Sequence, residues 1–346
     1  MEFLTEYGLF LAKAVTIVVS VLLIVSAVAA LAVKEKKRES GHIEVNDLNK
    51  KLKDIKTAIQ STTLEKDELK ALAKKEKQKA KEKKKHKGDT QSEVKKNVYV
   101  IEFDGDIKAS QTSALRETIT GVLAVATKND EVVVKVESGG GMVHSYGLAS
   151  AQLDRIKKKG IPLTVCVDKV AASGGYMMAC VADKIIASPF AVLGSIGVVA
   201  QVPNVHRLLK KNDIDFDVIT AGEYKRTMTV FGENTEKGRQ KFIQDLEDTH
   251  VLFKQFVSEH RPVVAIDQVA NGDIWYGQRA LDVQLVDDLM TSDEYLAGQC
   301  DSGQVYQLKF HEKKTIQEKL GLAVSAGIER AVTRLITAAQ KANYFS

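Results

Sequence analysis

The sequence is poor in cysteine, and the few cysteines it has are widely separated. The chain of 346 residues contains three, Cys166, Cys180 and Cys300. A disulfide framework needs many paired cysteines, and a zinc site needs Cys or His ligands at short spacings, so this sparse and odd set argues against both. Cys166 and Cys180 stand inside apolar runs, and we therefore expect both thiols to pack in the core.

The common nucleotide-binding loops are also missing. Gly139–Gly141 lie between a β-branched run and a helical stretch, but they complete neither the Walker A pattern nor the dinucleotide-binding fingerprint. The backbone N–H groups of such a loop can bind a phosphate or stabilise an oxyanion, and a plain glycine turn does neither. The residues of the loop leave these three interpretations open.

Basic charge is concentrated in one part of the chain. The formal net charge is +5, and lysine is dense in residues 35–96, which contain no proline. Within this stretch Leu48, Leu52, Ile55 and Ile59 recur at helical spacing. We interpret it as a stalk, helical in part and disordered in part, with contact to anionic lipid headgroups as a functional alternative. Nucleic acid is not an expected partner, because no aromatic side chains alternate with these lysines to stack on bases.

The chain contains one long hydrophobic run without charge, Ala14–Val33, which is bracketed by Lys13 and Lys34. A helix of about 20 residues spans a bilayer core. We predict a retained single-span anchor in contact with membrane lipid, although a cleavage-like Ala-Val-Ala at Ala27 keeps a signal peptide as the alternative. The basic residues that follow the run would place the rest of the chain in the cytoplasm, but an exported large domain overrides this rule.

From Asn97 onwards, strand-like and helix-like patterns alternate. This alternation is typical of right-handed crossovers in an α/β fold with a largely parallel sheet flanked by helices. The tail beyond Gly303 ends in an amphipathic stretch. We expect strands at 98–103, 132–136, 162–167, 184–187 and 215–220, and helices at 112–128, 144–159 and 236–260.

The stretch Val170–Cys180 carries one hydroxyl, that of Ser173, between small residues and two glycines. Such a serine is either a nucleophile at a sharp turn into a buried helix or simply the N-cap of a core helix. If it is a nucleophile, the glycines let a substrate approach the backbone closely. The N–H of Gly174 then lies beside the hydroxyl, where it can stabilise an oxyanion.

A nucleophilic serine needs a base, and the sequence offers two kinds. His144 and Asp168 make a Ser-His-Asp set conceivable. Lys225, within Gly-Glu-Tyr-Lys-Arg, is the other candidate. A lysine acts as a base only where burial keeps its amine neutral, and composition does not reveal such burial.

Four motifs in combination resemble the S49 family of membrane-bound serine peptidases, the signal peptide peptidase A group. The resemblance covers roughly residues 97–295 together with the N-terminal span, and the separations between the two serines and the lysine also agree with the family. The motifs are Ala172-Ser-Gly-Gly-Tyr, Gly194-Ser-Ile-Gly-Val, Gly222-Glu-Tyr-Lys-Arg, and Trp275-Tyr-Gly-Gln-Arg-Ala with Leu285-Val-Asp.

The resemblance implies a role for each site residue. Ser173 would be the nucleophile, and Lys225 the general base and later the general acid. Ser195 would hydrogen-bond the lysine amine and orient it, while Gly140 and Gly174 would donate backbone N–H groups to the oxyanion. No metal and no organic cofactor are implied.

The family also implies an architecture and a substrate class. It predicts the ClpP/crotonase-like fold and a ring-like homo-oligomer, in which serine and lysine can come from neighbouring subunits. It also predicts cleavage of peptides in or near the membrane, such as remnant signal peptides. One departure is visible, since the usual Ser-Pro-Gly-Gly is Ser138-Gly-Gly-Gly in this chain. Losing the proline is expected to loosen the loop and the precision of the oxyanion hole.

These observations divide the chain into four parts: an N-terminal tail and transmembrane helix (1–34), the stalk (35–96), the peptidase domain (97–300) and a C-terminal extension with an amphipathic helix (301–346). We expect a single-pass protein of the bacterial inner membrane. The family favours a periplasmic catalytic domain, and the flanking charges favour a cytoplasmic one. Two other functions remain alternatives: a crotonase-like enzyme acting on acyl-CoA, and a non-catalytic membrane scaffold that works through the stalk.

Overall fold

A computed structural model of the protein describes residues 41–65, 67–71 and 96–312, together with a few isolated positions (13, 15, 16, 19, 74 and 78). The chain divides into two units, and the larger one runs from Ile43 to Phe310. Apart from isolated positions, the expected membrane span Ala14–Val33 lies outside the described residues, as does the chain beyond Glu312. Within the described ranges, no helix combines the length and the apolar character needed to cross a bilayer.

The elements follow one another along the chain as strands and helices in irregular alternation. In order, they are β1 (His42–Asp47), α1 (Leu48–Thr63), β2 (Asn97–Gly105), α2 (Thr112–Val125), β3 (Glu131–Ser138), α3 (Val143–Lys158), β4 (Leu163–Val167), β5 (Val170–Ala172), α4 (Gly174–Ala179), β6 (Lys184–Ala187), β7 (Val192–Gly194), α5 (His206–Lys211), α6 (Glu236–His260), α7 (Ile266–Val269), β8 (Ile274–Tyr276), α8 (Gly277–Asp282), β9 (Asp288–Leu289), α9 (Ser292–Ser302) and β10 (Gln304–His311).

The strands form one sheet in the order β1-β10-β2-β3-β4-β6-β9. The pairings from β10 through to β9 are parallel. A short arm branches from this sheet, in which β5 pairs in parallel with both β3 and β7, and β7 pairs antiparallel with β8. The prediction of an α/β fold with a largely parallel sheet and flanking helices is confirmed.

The centre of the sheet is apolar because both of its faces are covered. Val132, Val133 and Val134 are consecutive in β3 and all fully buried, which is why this strand is a continuous β-branched run rather than an alternating one. The expected burial of Cys166 and Cys180 is also confirmed. Burial raises the pKa of each of these two thiols to about 12.

The expected strand at 215–220 is wrong. This segment has no regular secondary structure and is exposed along its whole length, with the Ile219 side chain 93% accessible. Its Phe216, Val218 and Ile219 are residue types common in strands, but within the described ranges no strand pairs with it. Such residues indicate a strand only where a partner strand exists.

Segments on both sides of the expected peptidase domain, 97–300, are hydrogen-bonded to it. The strand β10 follows that range and pairs with β2. The helix α1 precedes the range, and its Asn49 side chain donates to the carbonyl oxygens of Cys300 and Gly303, at 2.9 Å each. The same side chain accepts the N–H of Val305 at 2.8 Å. Part of the lysine-rich segment is therefore packed structure.

Candidate active site

Three neighbouring parallel strands end at the same edge of the sheet. β3 ends at Ser138, β5 at Ala172 and β7 at Gly194, and the register of β5 against its two neighbours places these ends side by side. In parallel sheets, functional groups gather at the carboxyl ends of the strands. The residues that follow the three ends are the glycine loop Gly139–Gly141, Ser173 and Ser195.

Ser173 occupies a strained turn between β5 and α4. Its backbone has φ 53° and ψ −119°, a region that residues other than glycine rarely adopt. Strained residues of this kind are enriched at active sites. Its N–H donates to the carbonyl oxygen of Gly194 at 2.8 Å. Ser173 takes the N-cap position of α4, yet its side chain makes no capping hydrogen bond. The hydroxyl is therefore not used for capping, and the turn holds it half-buried at the sheet edge.

Gly140 packs directly against the turn of Ser173. It has φ +88°, and a β-carbon at this position would lie 2.7 Å from the Ser173 Cβ and 2.6 Å from the Gly174 nitrogen. Only glycine fits there, because both its backbone conformation and its surroundings exclude a side chain. The structure thus brings Gly140, Ser173 and Gly174 together.

The two N–H groups expected to bind an oxyanion differ in their partners. The Gly174 N–H has no acceptor within the described part of the chain, as expected for the first turn of a helix. The Gly140 N–H instead donates to the Oγ of Ser138 at 3.1 Å. Of the two groups, the Gly140 N–H is thus the one that already has a partner in this structure.

Ser195 lies in a second strained turn next to the first. Gly194 has φ 82° and Ser195 has φ 49°, and the Ser195 N–H donates to the Asp273 carbonyl oxygen at 2.7 Å. A β-carbon at Gly194 would lie 2.7 Å from the Trp275 ring. The segment that contains β8 therefore fixes the turn of Ser195 from the side opposite Ser173.

Lys225 is not brought to the two serines within one chain. It lies in an exposed turn, where its N–H donates to the Gly222 carbonyl oxygen at 3.2 Å. Across the residues described, no hydrogen bond or ion pair joins its amine to Ser173 or Ser195. A single copy of the chain leaves this amine in solvent.

His144 and Asp168 do not form a triad with Ser173. Both oxygens of the Asp168 carboxylate accept hydrogen bonds from Ser292, at 2.7 Å from its N–H and at 2.6 Å from its hydroxyl. Burial alone would raise the pKa of Asp168. The hydrogen bonds from Ser292 and the charge of the nearby Lys135 have the larger combined effect, so the pKa is lowered overall. His144 is exposed at the start of α3. The alternative based on these two residues gains no geometric support.

Two polar residues behind the site were not identified from the sequence. Ser138 and Tyr146 are buried, and their hydroxyl oxygens lie 2.6 Å apart. Ser138 gave a weak signal as the serine before the glycine loop, whereas a tyrosine inside a helical stretch gives none. Over the described ranges, no three His, Cys, Asp or Glu side chains cluster closely enough to hold a metal ion.

Comparison with known proteins identifies the class. The chain matches the model of the peptidase family S49 N-terminal domain over residues 2–153 and that of peptidase family S49 over residues 155–302. It therefore belongs to peptidase family S49, as its motifs predicted, and is a protease of that family. Of the functions considered from the sequence, family membership supports the peptidase.

Individual relatives extend this similarity over nearly the whole chain. The probable protease SohB of Haemophilus influenzae is 52% identical over 327 residues, which cover 92% of each protein. The probable protease SohB of Buchnera aphidicola subsp. Schlechtendalia chinensis is 45% identical over 306 residues, 86% of this chain and 99% of that one. Among solved structures, a mutant of the 1510-N membrane-bound stomatin-specific protease gives a TM-score of 0.40 at 13% identity, covering 60% of this chain and 85% of that one.

Proposed function

We propose that the protein is a membrane-anchored serine endopeptidase with a Ser-Lys dyad formed by Ser173 and Lys225. The observation that carries the proposal is the strained turn of Ser173 at the ends of three parallel strands. Its hydroxyl takes no part in helix capping, and its Cβ packs against the glycine loop. The sheet is proposed to be of the ClpP/crotonase type.

The chemistry is acyl transfer through a covalent intermediate. The Ser173 Oγ attacks the carbonyl carbon of the scissile peptide bond while the neutral Lys225 amine takes the hydroxyl proton. The tetrahedral intermediate collapses with loss of the leaving amine, which receives that proton from the Lys225 ammonium. A water molecule, deprotonated by Lys225, then hydrolyses the acyl-serine and frees the enzyme.

The oxyanion of the tetrahedral intermediate is proposed to face two backbone donors. The Gly174 N–H is the first, because it adjoins the nucleophile and lacks an acceptor in the described structure. The glycine loop supplies the second, and Gly140 is its closest approach to Ser173. Removing one such donor typically lowers kcat by about 10²–10³.

A neighbouring subunit is proposed to supply the lysine. The segment that carries Lys225 exposes several large apolar side chains, including Val199 and Ile219 at 83% and 93% accessibility. A cavity of about 520 Å³ is lined by residues of this same part of the chain, between 202 and 231. Monomeric proteins rarely leave such surface uncovered. A second copy of the chain covering this segment would bury it and bring Lys225 to the adjacent Ser173 and Ser195 in a ring-like homo-oligomer.

The membrane anchor and the substrates follow from the same proposal. Ala14–Val33 is proposed to hold the protein in the bacterial inner membrane as a single span, so that the site meets peptides in or near the bilayer, such as remnant signal peptides. Protease accessibility of the catalytic domain in spheroplasts would decide on which side it lies. Digestion in intact spheroplasts means a periplasmic domain, and protection means a cytoplasmic one.

The proposal is tested with the full-length protein in detergent and a casein or signal-peptide substrate. Ser173→Ala and Lys225→Arg are both expected to be inactive, because arginine keeps the positive charge but does not give up its proton. The exposed Lys211 on the same segment provides the control Lys211→Arg, which should retain full activity. Cleavage at the wild-type rate by Ser173→Ala or Lys225→Arg would reject the dyad.

A further inference from the structure

Two buried hydroxyl groups lie directly behind the candidate site. Ser138 is the last residue of β3 and is 2% exposed, and Tyr146 in α3 is completely buried. The Ser138 Oγ and the Tyr146 Oη lie 2.6 Å apart. Neither residue has a part in the proposed chemistry, yet burying two hydroxyl groups is costly unless both are satisfied.

The hydrogen atoms of this pair can be assigned by counting donors. The Tyr146 hydroxyl donates to the carbonyl oxygen of Asp106 at 2.7 Å, and a phenol has only one hydrogen to give. A separation of 2.6 Å between two hydroxyl oxygens needs a hydrogen between them, so Ser138 donates to Tyr146 rather than to the Gly105 carbonyl oxygen at 3.3 Å. A lone pair of the Ser138 oxygen is then left to accept the Gly140 N–H at 3.1 Å.

The result is a chain of three hydrogen bonds in one direction: Gly140 N–H to Ser138, Ser138 to Tyr146, and Tyr146 to Asp106. Burial raises the pKa of Tyr146, so the phenol keeps the hydrogen on which the chain depends. Successive hydrogen bonds of this kind polarise one another and rigidify the groups they join.

The same two residues also support the nucleophile side of the site. A β-carbon at Gly174 would overlap the ring of Tyr146, and a β-carbon at Gly175 would lie 2.5 Å from the Ser138 carbonyl oxygen. The Tyr146 ring therefore packs directly against Gly174, the residue that follows Ser173. Both walls of the site, the glycine loop and the start of α4, are held by one buried pair.

We propose that Ser138 and Tyr146 are positioning residues for the oxyanion hole. Ser138 fixes the peptide between Gly139 and Gly140 by accepting the Gly140 N–H, which the oxyanion is proposed to share with the Ser138 oxygen in a three-centre hydrogen bond. Tyr146 fixes both Ser138 and the backbone of Gly174. This inference rests on the proposed function, in which an oxyanion forms beside Ser173. No proton is transferred through the pair, because its effect is on geometry. Preorganised donors lower a barrier only when they are aimed correctly, and a misplacement of about 1 Å can cost about 10²-fold in rate.

The test compares Tyr146→Phe and Ser138→Ala with matched controls. Tyr295 is a half-buried tyrosine whose hydroxyl donates to the Glu131 carboxylate at 2.6 Å, at the start of β3 and so at the end of that strand away from Ser138. Ser150 is a buried serine that donates to the Tyr146 carbonyl oxygen at 2.9 Å. Tyr295→Phe and Ser150→Ala thus remove a phenol and a serine hydroxyl without touching the chain of hydrogen bonds.

We expect Tyr146→Phe and Ser138→Ala each to lower kcat by about 10- to 100-fold with little change in KM, because the lost interaction acts in the transition state. The double variant should be no slower than the slower single variant, since the two residues act as a unit. A substrate-derived peptide aldehyde, which forms an oxyanion on Ser173, should bind more weakly by a similar factor. Binding of the cleaved product peptide should not change. The two controls should retain kcat, and thermal unfolding identifies any variant that is not folded.

Several results would overturn the inference. For Tyr146→Phe and Ser138→Ala, they are an unchanged kcat, a loss of kcat no greater than in the controls, or a rise in KM alone. Equal weakening of the binding of the peptide aldehyde and of the product peptide would also overturn it. A faster Ser138→Ala would also do so, because it would mean that Ser138 competes with the oxyanion for the Gly140 N–H. Ser173→Ala in the same assay separates this inference from the proposed function. If Ser173→Ala is inactive while Tyr146→Phe and Ser138→Ala behave like the controls, only the positioning role fails. If Ser173→Ala is active, the proposed function and the positioning role both fail.

Discussion

The N–H of Ser173 donates to the carbonyl oxygen of Gly194 at 2.8 Å, which ties the turn of one serine to the residue that precedes the other. Ser173 and Ser195 therefore take their relative positions from the pairing of β5 with β7, not from their own side chains. Both have positive φ angles, so strain is concentrated in two adjacent turns. A rigid pair of turns can hold the proposed nucleophile, Ser173, and the hydroxyl proposed to orient the lysine, Ser195, at constant separation.

The fit of Gly140 gives a first prediction. Gly140→Ala would put a methyl group 2.7 Å from the Ser173 Cβ and strain a backbone with φ +88°. We expect kcat/KM to fall by at least about 100-fold. Gly139→Ala is the control, because nothing lies within 4 Å of a β-carbon there, and it should remain within about threefold of wild type. Equal activity of the two variants would show that the glycine loop does not pack against Ser173.

Supply of the lysine by a neighbouring subunit is tested by mixing inactive variants. Subunits carrying Ser173→Ala and subunits carrying Lys225→Ala are dissociated and reassembled together in equal amounts. The mixture should recover roughly a quarter of the wild-type activity if each site takes its serine from one subunit and its lysine from the next in a ring. Each variant reassembled alone provides the baseline. No recovery in mixed rings, verified by two different affinity tags, would mean that the dyad forms within one subunit or not at all.

The buried ion pair of Arg261 is predicted to stabilise the fold. Arg261 is 5% exposed, pairs with both carboxylate oxygens of Asp287 at 2.8 and 3.1 Å, and also donates to the Gln284 carbonyl oxygen. Arg261→Met leaves a partly buried carboxylate without its partner and should lower the free energy of unfolding by about 3–5 kcal/mol. Urea unfolding measures this loss. Lys237→Ala, which removes a solvent-exposed pair with Glu223, should leave the unfolding midpoint in place.

The buried thiols are predicted to be unreactive in the native protein. With pKa values raised to about 12 by burial, Cys166 and Cys180 remain protonated below that pH, and the thiolate is the reactive form. Iodoacetamide at pH 8 should leave both unmodified in the native protein and modify both after denaturation. Mass spectrometry of tryptic peptides makes the comparison. Native labelling of either at the rate found in denaturant would contradict the burial.

The sequence predicted those elements whose signals are local. The long helix α6 has a Thr235 cap at its start and Arg261-Pro262 at its end, and its expected bounds are confirmed. The strand β3 was predictable from its uninterrupted β-branched residues. β5 and β7 are only three residues long, too short for any periodicity, although they position both serines.

What the sequence did not indicate depends on contacts between distant residues. The pairing of β10 with β2 joins segments about 200 residues apart. The hydrogen bonds of Tyr146 with Ser138 and with Asp106 follow from the way α3 packs on the sheet. The residues at 215–220 were predicted to form a strand because a sequence alone does not reveal whether a partner strand is present. The motifs singled out Gly140 and Ser173, but not the residues that hold them in place.

The most direct test of the account is the site of covalent labelling by a fluorophosphonate, mapped by tandem mass spectrometry on the full-length protein. The account predicts a single adduct on Ser173, no adduct in Ser173→Ala, and much slower labelling in Lys225→Arg. An adduct on another residue, or equal labelling of the wild type and Ser173→Ala, would contradict it.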